Sequence, residues 1–92
     1  MDRNKAIRWD ATKNLQLQER YGIGFEAIIE ALGKGQLLDN RCHPNQAKYG
    51  HQNQLIVAIH DYAYVVPYID ERSYWFLKTF FPSRQATRDY IH

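Results

Sequence analysis

Three apolar segments in the second half of the chain, residues 54–60, 62–69 and 74–81, are joined by connections that leave room only for a reversal of direction. Each segment is rich in β-branched, aliphatic and aromatic residues, the composition of a strand. Asp61-Tyr62 supplies the first turn and Asp70-Glu71-Arg72-Ser73 the second. A parallel pairing needs a crossover of a dozen or more residues, so these strands are expected to form an antiparallel meander. Pro67 has no N–H for a ladder and marks an edge strand or a bulge. Pro82 ends the last strand, and Ser83 caps a short final helix over 84–90.

The first half has a different period. Residues 7–9 read as a short strand, and Asp10 as the N-cap of a helix over 11–21, since its carboxylate can accept free amides of the first turn. Ala11 and Leu15, and Leu17 and Tyr21, are spaced one turn apart. Gly22 is a natural helix stop. Phe25, Ile28, Ile29 and Leu32 then fall at i, i+3, i+4 and i+7, a single apolar stripe that Glu26 and Glu30 avoid, and Gly33 ends that helix. Residues 36–40 make a further short strand, and 41–53 are polar and irregular, with Pro44 and Gly50. The expected order is β-α-α-β-β-β-β-α: an α+β fold with two N-terminal helices on a meander of about four strands.

At 92 residues the chain has room for one core and is read as one domain over 1–92. A hydrophobic fraction of 45% with 14% aromatics excludes a disordered chain. The net charge of +2 is too weak to argue for nucleic acid by itself, but its distribution is uneven. Residues 1–21 carry +2, residues 22–71 carry −3 and residues 72–92 carry +3, so ends that met in space would make a modest basic face. The single cysteine, Cys42, fits a reducing cytoplasm. No apolar segment follows residues 1–5, so no secretory signal is expected, and no run is long enough to span a membrane.

Three strings carry a family resemblance. Ile7-Arg8-Trp9-Asp10-Ala11-Thr12-Lys13-Asn14 is a strand ending in Trp-Asp before a lysine-bearing helix. Arg20-Tyr21-Gly22-Ile23-Gly24-Phe25-Glu26 is a helix–glycine–helix junction. Lys78-Thr79-Phe80-Phe81-Pro82-Ser83-Arg84-Gln85-Ala86-Thr87-Arg88 is a last strand and an Arg-x-Ala-Thr-Arg helix start. In this order, over residues 6–90, they resemble the BrnT family of ribonuclease toxins, which is itself similar in fold to RelE-like RNases. The resemblance implies a RelE-like fold, the toxin role in a type II toxin–antitoxin pair, and metal-independent cleavage of mRNA. It also implies an antitoxin partner of ribbon–helix–helix type. Gln85 stands where the family commonly has a second arginine.

Such cleavage uses the 2′-hydroxyl of the RNA as nucleophile, so the protein must move protons and stabilise phosphate charge. A helix start with arginines suits the second task, and guanidinium adds a planar fork of donors. Arg84, Arg88 one turn later and Lys78 on the incoming strand form the expected constellation; the same spacing also describes a solvated face with a salt bridge to Asp89. Histidine suits proton transfer near neutral pH. His51 is favoured, beside Lys48, Tyr49 and Gly50, so the catalytic candidates are Arg84, Lys78 and His51. Arg88, Arg41, Lys48, His43 and Arg8 are the expected RNA-binding residues. His43 and His51 lack a partner at ligand spacing, so no metal or cofactor is expected. Tyr62, Tyr64 and Tyr68 share a strand face, where they either stack on bases or belong to the core, whereas Phe76, Phe80 and Trp9 are expected in the core. A second reading is a non-catalytic module that binds RNA or an antitoxin; homodimerisation stays open.

Overall fold

The structure is a computed structural model that describes residues 5–50 and 52–92. Its elements are β1 (Ala6–Arg8), α1 (Ala11–Tyr21), α2 (Phe25–Gly33), β2 (Leu37–Cys42), α3 (Gln46–Tyr49), β3 (Gln52–Ile59), β4 (Tyr62–Asp70), β5 (Tyr74–Leu77), β6 (Phe81–Pro82) and α4 (Arg84–Tyr90). Strands β2 to β5 form the expected antiparallel meander, in the order β5-β4-β3-β2. β1 adds to β5 in parallel, Ile7 facing Trp75, so the basic segment 1–21 meets the basic segment 72–92 through these two strands. The architecture is α+β.

The segment expected to be irregular, 41–53, holds more order than its composition suggests. β2 runs to Cys42, β3 begins at Gln52, and α3 lies between them. Asn45 caps α3 by accepting from the Lys48 amide at 3.2 Å, local chemistry that a polar composition conceals.

α1 and α2 are joined by a polar bracket. The buried Asn14 Oδ1 accepts from the Phe25 amide at 2.7 Å, and its Nδ2 donates to both Glu26 oxygens, at 2.8 and 3.0 Å. Gly24 makes room for this: a Cβ there would stand 2.4 Å from Asn14 Oδ1. The bracket turns α1 so that Asn14, Leu17 and Tyr21 face inward. Ala11 and Leu15 therefore point outward, with Leu15 63% exposed, so of the two pairs spaced one turn apart only Leu17 and Tyr21 face the core. Gly22, at φ 78°, ends α1 as expected. Gly33 is still helical, and Gly35, at φ 73°, makes the left-handed turn into β2.

Pro67 lies in the middle of the sheet. Its carbonyl accepts from the Lys78 amide at 2.9 Å, so its missing N–H faces the same neighbouring chain. There the ladder slips: Tyr68 faces Leu77, but Val65 faces Phe81, so Val66 opposes both Thr79 and Phe80. This is a β-bulge, and it divides the expected strand 74–81 into β5 and β6. It also reverses the alternation. Phe80 turns into the helix-covered core, whereas Phe76, paired with Ile69, faces the other way and is only half-buried, correcting its expected core position.

The two sheet faces differ. On the helical face Phe25, Ile28, Leu55, Val57, Val66, Tyr68, Leu77 and Phe80 form the main core, with Trp9 packed against it. Tyr64 meets Phe80 edge-on at 6.1 Å, so the strand tyrosines belong to this aromatic core, Tyr62 being its exposed end. The second face is covered over part of its area by α4, through Ala86, Tyr90 and Ile91 against Ile56, Ala63 and Val65. Ser83 Oγ caps α4 by accepting from the Ala86 amide, and Thr87 Oγ1 accepts from the Ala63 amide at 2.8 Å.

Two stability predictions follow from these contacts. Asn14→Ala leaves the Phe25 amide buried without an acceptor and is expected to cost about 2 kcal/mol in urea unfolding, whereas Leu15→Ala changes stability by less than about 0.5 kcal/mol. The β3–β4 turn is His60–Asp61, not the expected Asp61-Tyr62, since Ile59 pairs with Tyr62. His60 and Asp61 both sit in the left-handed region, at φ 51° and 63°. Asp61→Gly relieves part of that strain and is expected to raise the Tm by roughly 4 °C; a fall in Tm would show that the turn holds no strain.

Candidate nucleic-acid interface

Cross-strand register builds a basic row on the second face. Arg41 faces Gln54, Gln54 faces Pro67, and Lys78 hydrogen-bonds Pro67 through its backbone. The row therefore reads Arg41–Gln54–Pro67–Lys78, across β2, β3 and β4 to the residue that follows β5. The next row, Gln52–Ile69–Phe76–Arg8, runs alongside it. Arg8 is thus the diagonal neighbour of Lys78, with Cα atoms on the order of 8 Å apart, and Arg41 and Lys78 are separated by about 14 Å.

Each cation is held differently. The Arg41 Nε donates to Gln54 Oε1 at 3.0 Å, and Gln54 itself is buried beneath it. One donor of the guanidinium is thereby fixed to the sheet, and the guanidinium also donates to the Tyr90 hydroxyl. Arg8 lies over the Tyr74 ring, 5.2 Å from its centroid. Lys78 is exposed, and no side-chain partner for it is seen among the described residues. The floor between them is apolar: Pro67 is buried, and Ile69 and Phe76 are half-buried.

The row ends beside α4, where Tyr90 donates to Asp39 Oδ2 at 2.5 Å. This hydrogen bond, aided by the Asn40 amide, holds the Asp39 carboxyl below the usual carboxylate range. The same bond, followed by burial, pushes the Tyr90 phenol above its ordinary value. Tyr90 is therefore a poor base near neutral pH while the bond lasts. Nothing at residue 39 or 90 marks this pair in the sequence; only the fold brings the two together.

The structure does not gather Lys78, Arg84 and Arg88 into one cluster. Ala86 and Tyr90 of α4 face the sheet, and Thr87 turns toward the β3–β4 hairpin. At 100° per residue, Arg84 and Arg88 share the Thr87 flank, while Tyr90 faces the Arg41 side. The helix stands between them and Lys78. Both arginines are exposed, and Arg88 lies 4.0 Å from Asp89, the surface pair the spacing allowed. A helix of seven residues whose third amide is already bonded to Ser83 offers a weak anion site.

His43 adjoins the row at its Arg41 end, since its amide donates to the Gln52 carbonyl at 3.1 Å and so continues the β2–β3 register two residues beyond Arg41. His43 Nδ1 accepts from the Asn45 amide at 3.0 Å, so this ring shapes the turn into α3. Lys48 is exposed on α3. His51 lies outside the described residues. Among the described residues no cluster of three or more His, Cys, Asp or Glu is arranged for a metal, and no helix is long and apolar enough to cross a membrane.

The paired shifts give a pH prediction. A lowered carboxyl stabilises the fold above its unfolded pKa and loses that contribution as pH falls through the folded value. A raised phenol stabilises below its unfolded pKa and loses that contribution as pH rises through the folded value. The Tyr90–Asp39 bond should therefore act between about pH 4 and pH 10. The difference in urea midpoint between wild type and Tyr90→Phe is expected to be flat across that window and to vanish at both ends. A difference that persists at pH 2 would show that the ring packs without help from the bond.

Comparison with protein-family models, with curated proteins and with solved structures finds no match for this chain.

Proposed function

We propose that this chain acts on RNA as a metal-independent endoribonuclease, the toxin of a type II toxin–antitoxin pair of the BrnT type, working in the cytoplasm and neutralised by a ribbon–helix–helix antitoxin. The observation that carries the RNA reading is the basic row with an apolar floor: Arg41 and Lys78 in one line across the sheet, with Arg8 beside Lys78. Cations at intervals along an open face suit a chain of phosphates, and a guanidinium with one nitrogen already fixed suits a phosphate in a defined orientation. In this reading Arg41, Lys78 and Arg8 hold the phosphates across the scissile bond. The exposed Arg84 and Arg88 contribute general attraction from the far side of α4. An antitoxin would act by covering the row.

Tyr90 is tied to Asp39 with its phenol pushed up, and His43, next to Arg41 in the register, already has its Nδ1 engaged by the Asn45 amide. That observation favours the second reading, RNA binding without cleavage, and one experiment separates the two. Wild type, Lys78→Ala, Arg41→Ala and Arg84→Ala are expressed from an inducible promoter, and the purified proteins are incubated with a defined mRNA in EDTA. Growth arrest with wild type, its loss by Lys78→Ala and Arg41→Ala, and a weaker effect of Arg84→Ala are expected. Clean cleavage by wild type sinks the binding-only reading. Full toxicity of Lys78→Ala, with loss only in Arg84→Ala, would move the site to the outer flank of α4. Binding should weaken steeply with salt, the slope falling by roughly one for each phosphate-contacting cation removed.

A further inference from the structure

The helical face carries a second opening. α1 and α2 cover the end of the sheet near the β3–β4 turn, and at the opposite end a groove of about 650 Å³ lies open between β2 and β1. That volume is within the roughly 300–1,000 Å³ of small-ligand sites. Its floor is aromatic: the Trp75 ring lies 4.6 Å from that of Tyr68. Tyr68 is buried, and its hydroxyl donates to Asn40 Oδ1 at 2.6 Å, which leaves the two Asn40 amide donors at the groove.

The rim has a definite donor–acceptor order. Asp70 faces Trp75 directly across the β4–β5 ladder, so its carboxylate stands beside the indole face. Lys5 pairs with Asp70 Oδ1 and donates to the Glu71 carbonyl at 2.8 Å. An ammonium has three donors, and these contacts use two. The carboxylate keeps the acceptor capacity that Lys5 does not take. A planar ring stacked on Trp75 would therefore meet one donor from Lys5 followed by two acceptor sites on Asp70.

We propose that this groove binds a guanine base. The Watson–Crick edge of guanine presents an acceptor at O6, then donors at N1 and N2, which complements Lys5 followed by Asp70 at all three positions. Adenine matches at two, and uracil and cytosine, each with two acceptors on this edge, match at two but place the remaining acceptor against the carboxylate. The groove also connects to the basic row. Arg41 lines it at the β2 edge, while its Nε bonds to Gln54 on the second face. An RNA strand crossing that edge would set a phosphate on Arg41 and turn a neighbouring guanine into the groove. This assignment of the base to an RNA rests on the RNA reading above; the recognition of guanine does not.

The test uses the full chain and mononucleotides. The Trp75 indole N–H resonance, identified by Trp75→Phe, is followed by NMR while guanosine, the four ribonucleoside 5′-monophosphates and inorganic phosphate are added. Guanosine and GMP are expected to shift it, with GMP binding on the order of tenfold tighter than AMP, UMP or CMP. Asp70→Asn should weaken GMP by a similar factor and strengthen xanthosine monophosphate, whose 2-oxo group accepts from the new amide. That gain of binding cannot come from a misfolded chain. No shift, equal shifts with all four nucleotides, or the same shift with phosphate alone would overturn the site. Two short RNAs, UUGUU and UUAUU, decide the source of the base. Tighter binding of UUGUU than of GMP, lost with Arg41→Ala, supports RNA, and GMP binding without UUGUU binding overturns the RNA assignment. Guanine recognition by a chain that cleaves no mRNA would remove the nuclease proposal and leave this one standing.

Discussion

Pro67 has no amide hydrogen to offer the strand beside it, and it occupies the centre of the sheet. The neighbouring chain answers by slipping one residue, so that Val66 opposes both Thr79 and Phe80. Much of the molecule hangs on that slip. It sends Phe80 into the core, where it meets Phe25 edge-on at 5.3 Å and also packs with Tyr21 and Tyr64. It leaves β6 to pair with Val65, from which Ser83 reaches the Ala63 carbonyl and α4 starts across the second face. An unbroken strand from Tyr74 to Phe81 would have exchanged the places of Phe80 and Phe81.

The legible parts of the fold were the local ones. Asp10, Ser83 and Gly22 act where their side chains or backbone freedom predict, because a cap or a stop depends on a few adjacent residues. The meander follows from connection length in the same way. The parallel seat of β1 depends on residues far away in the chain, and so does the choice of inner face on α1, which Glu26 and Phe25 set through Asn14. The site was legible residue by residue but not as a group. Lys78, Arg8 and Arg41 could each be picked from the sequence as candidate RNA contacts, yet their line across the sheet is a matter of register. Lys78 and Arg84 are close in sequence, and α4 comes between them. The Tyr90–Asp39 bond joins positions that no motif connects.

The division of labour between the two faces follows from how much each is covered. On the helical face two helices close over an aromatic core and stop short, leaving Trp75 and Tyr68 as the floor of an open groove. On the other face a single short helix protects Ile56, Ala63 and Val65 and leaves the basic row uncovered. β2 borders both. Its alternation places Arg41 on one side and Asn40 on the other, so the two proposed contacts share one edge of the sheet.

The parallel seat of β1 also constrains the order in which the molecule can be made. Ile7 and Trp75 are neighbours in the sheet, although Ile7 is synthesised well before Trp75. During vectorial synthesis the helices and the first hairpin can form behind the ribosome, but β1 has no strand to lie against until β5 has emerged. β1 is thus placed only after a strand made well after it. Arg8 comes to stand beside Lys78 only at that step, so a nascent chain carries the charges of the basic row without yet having the row.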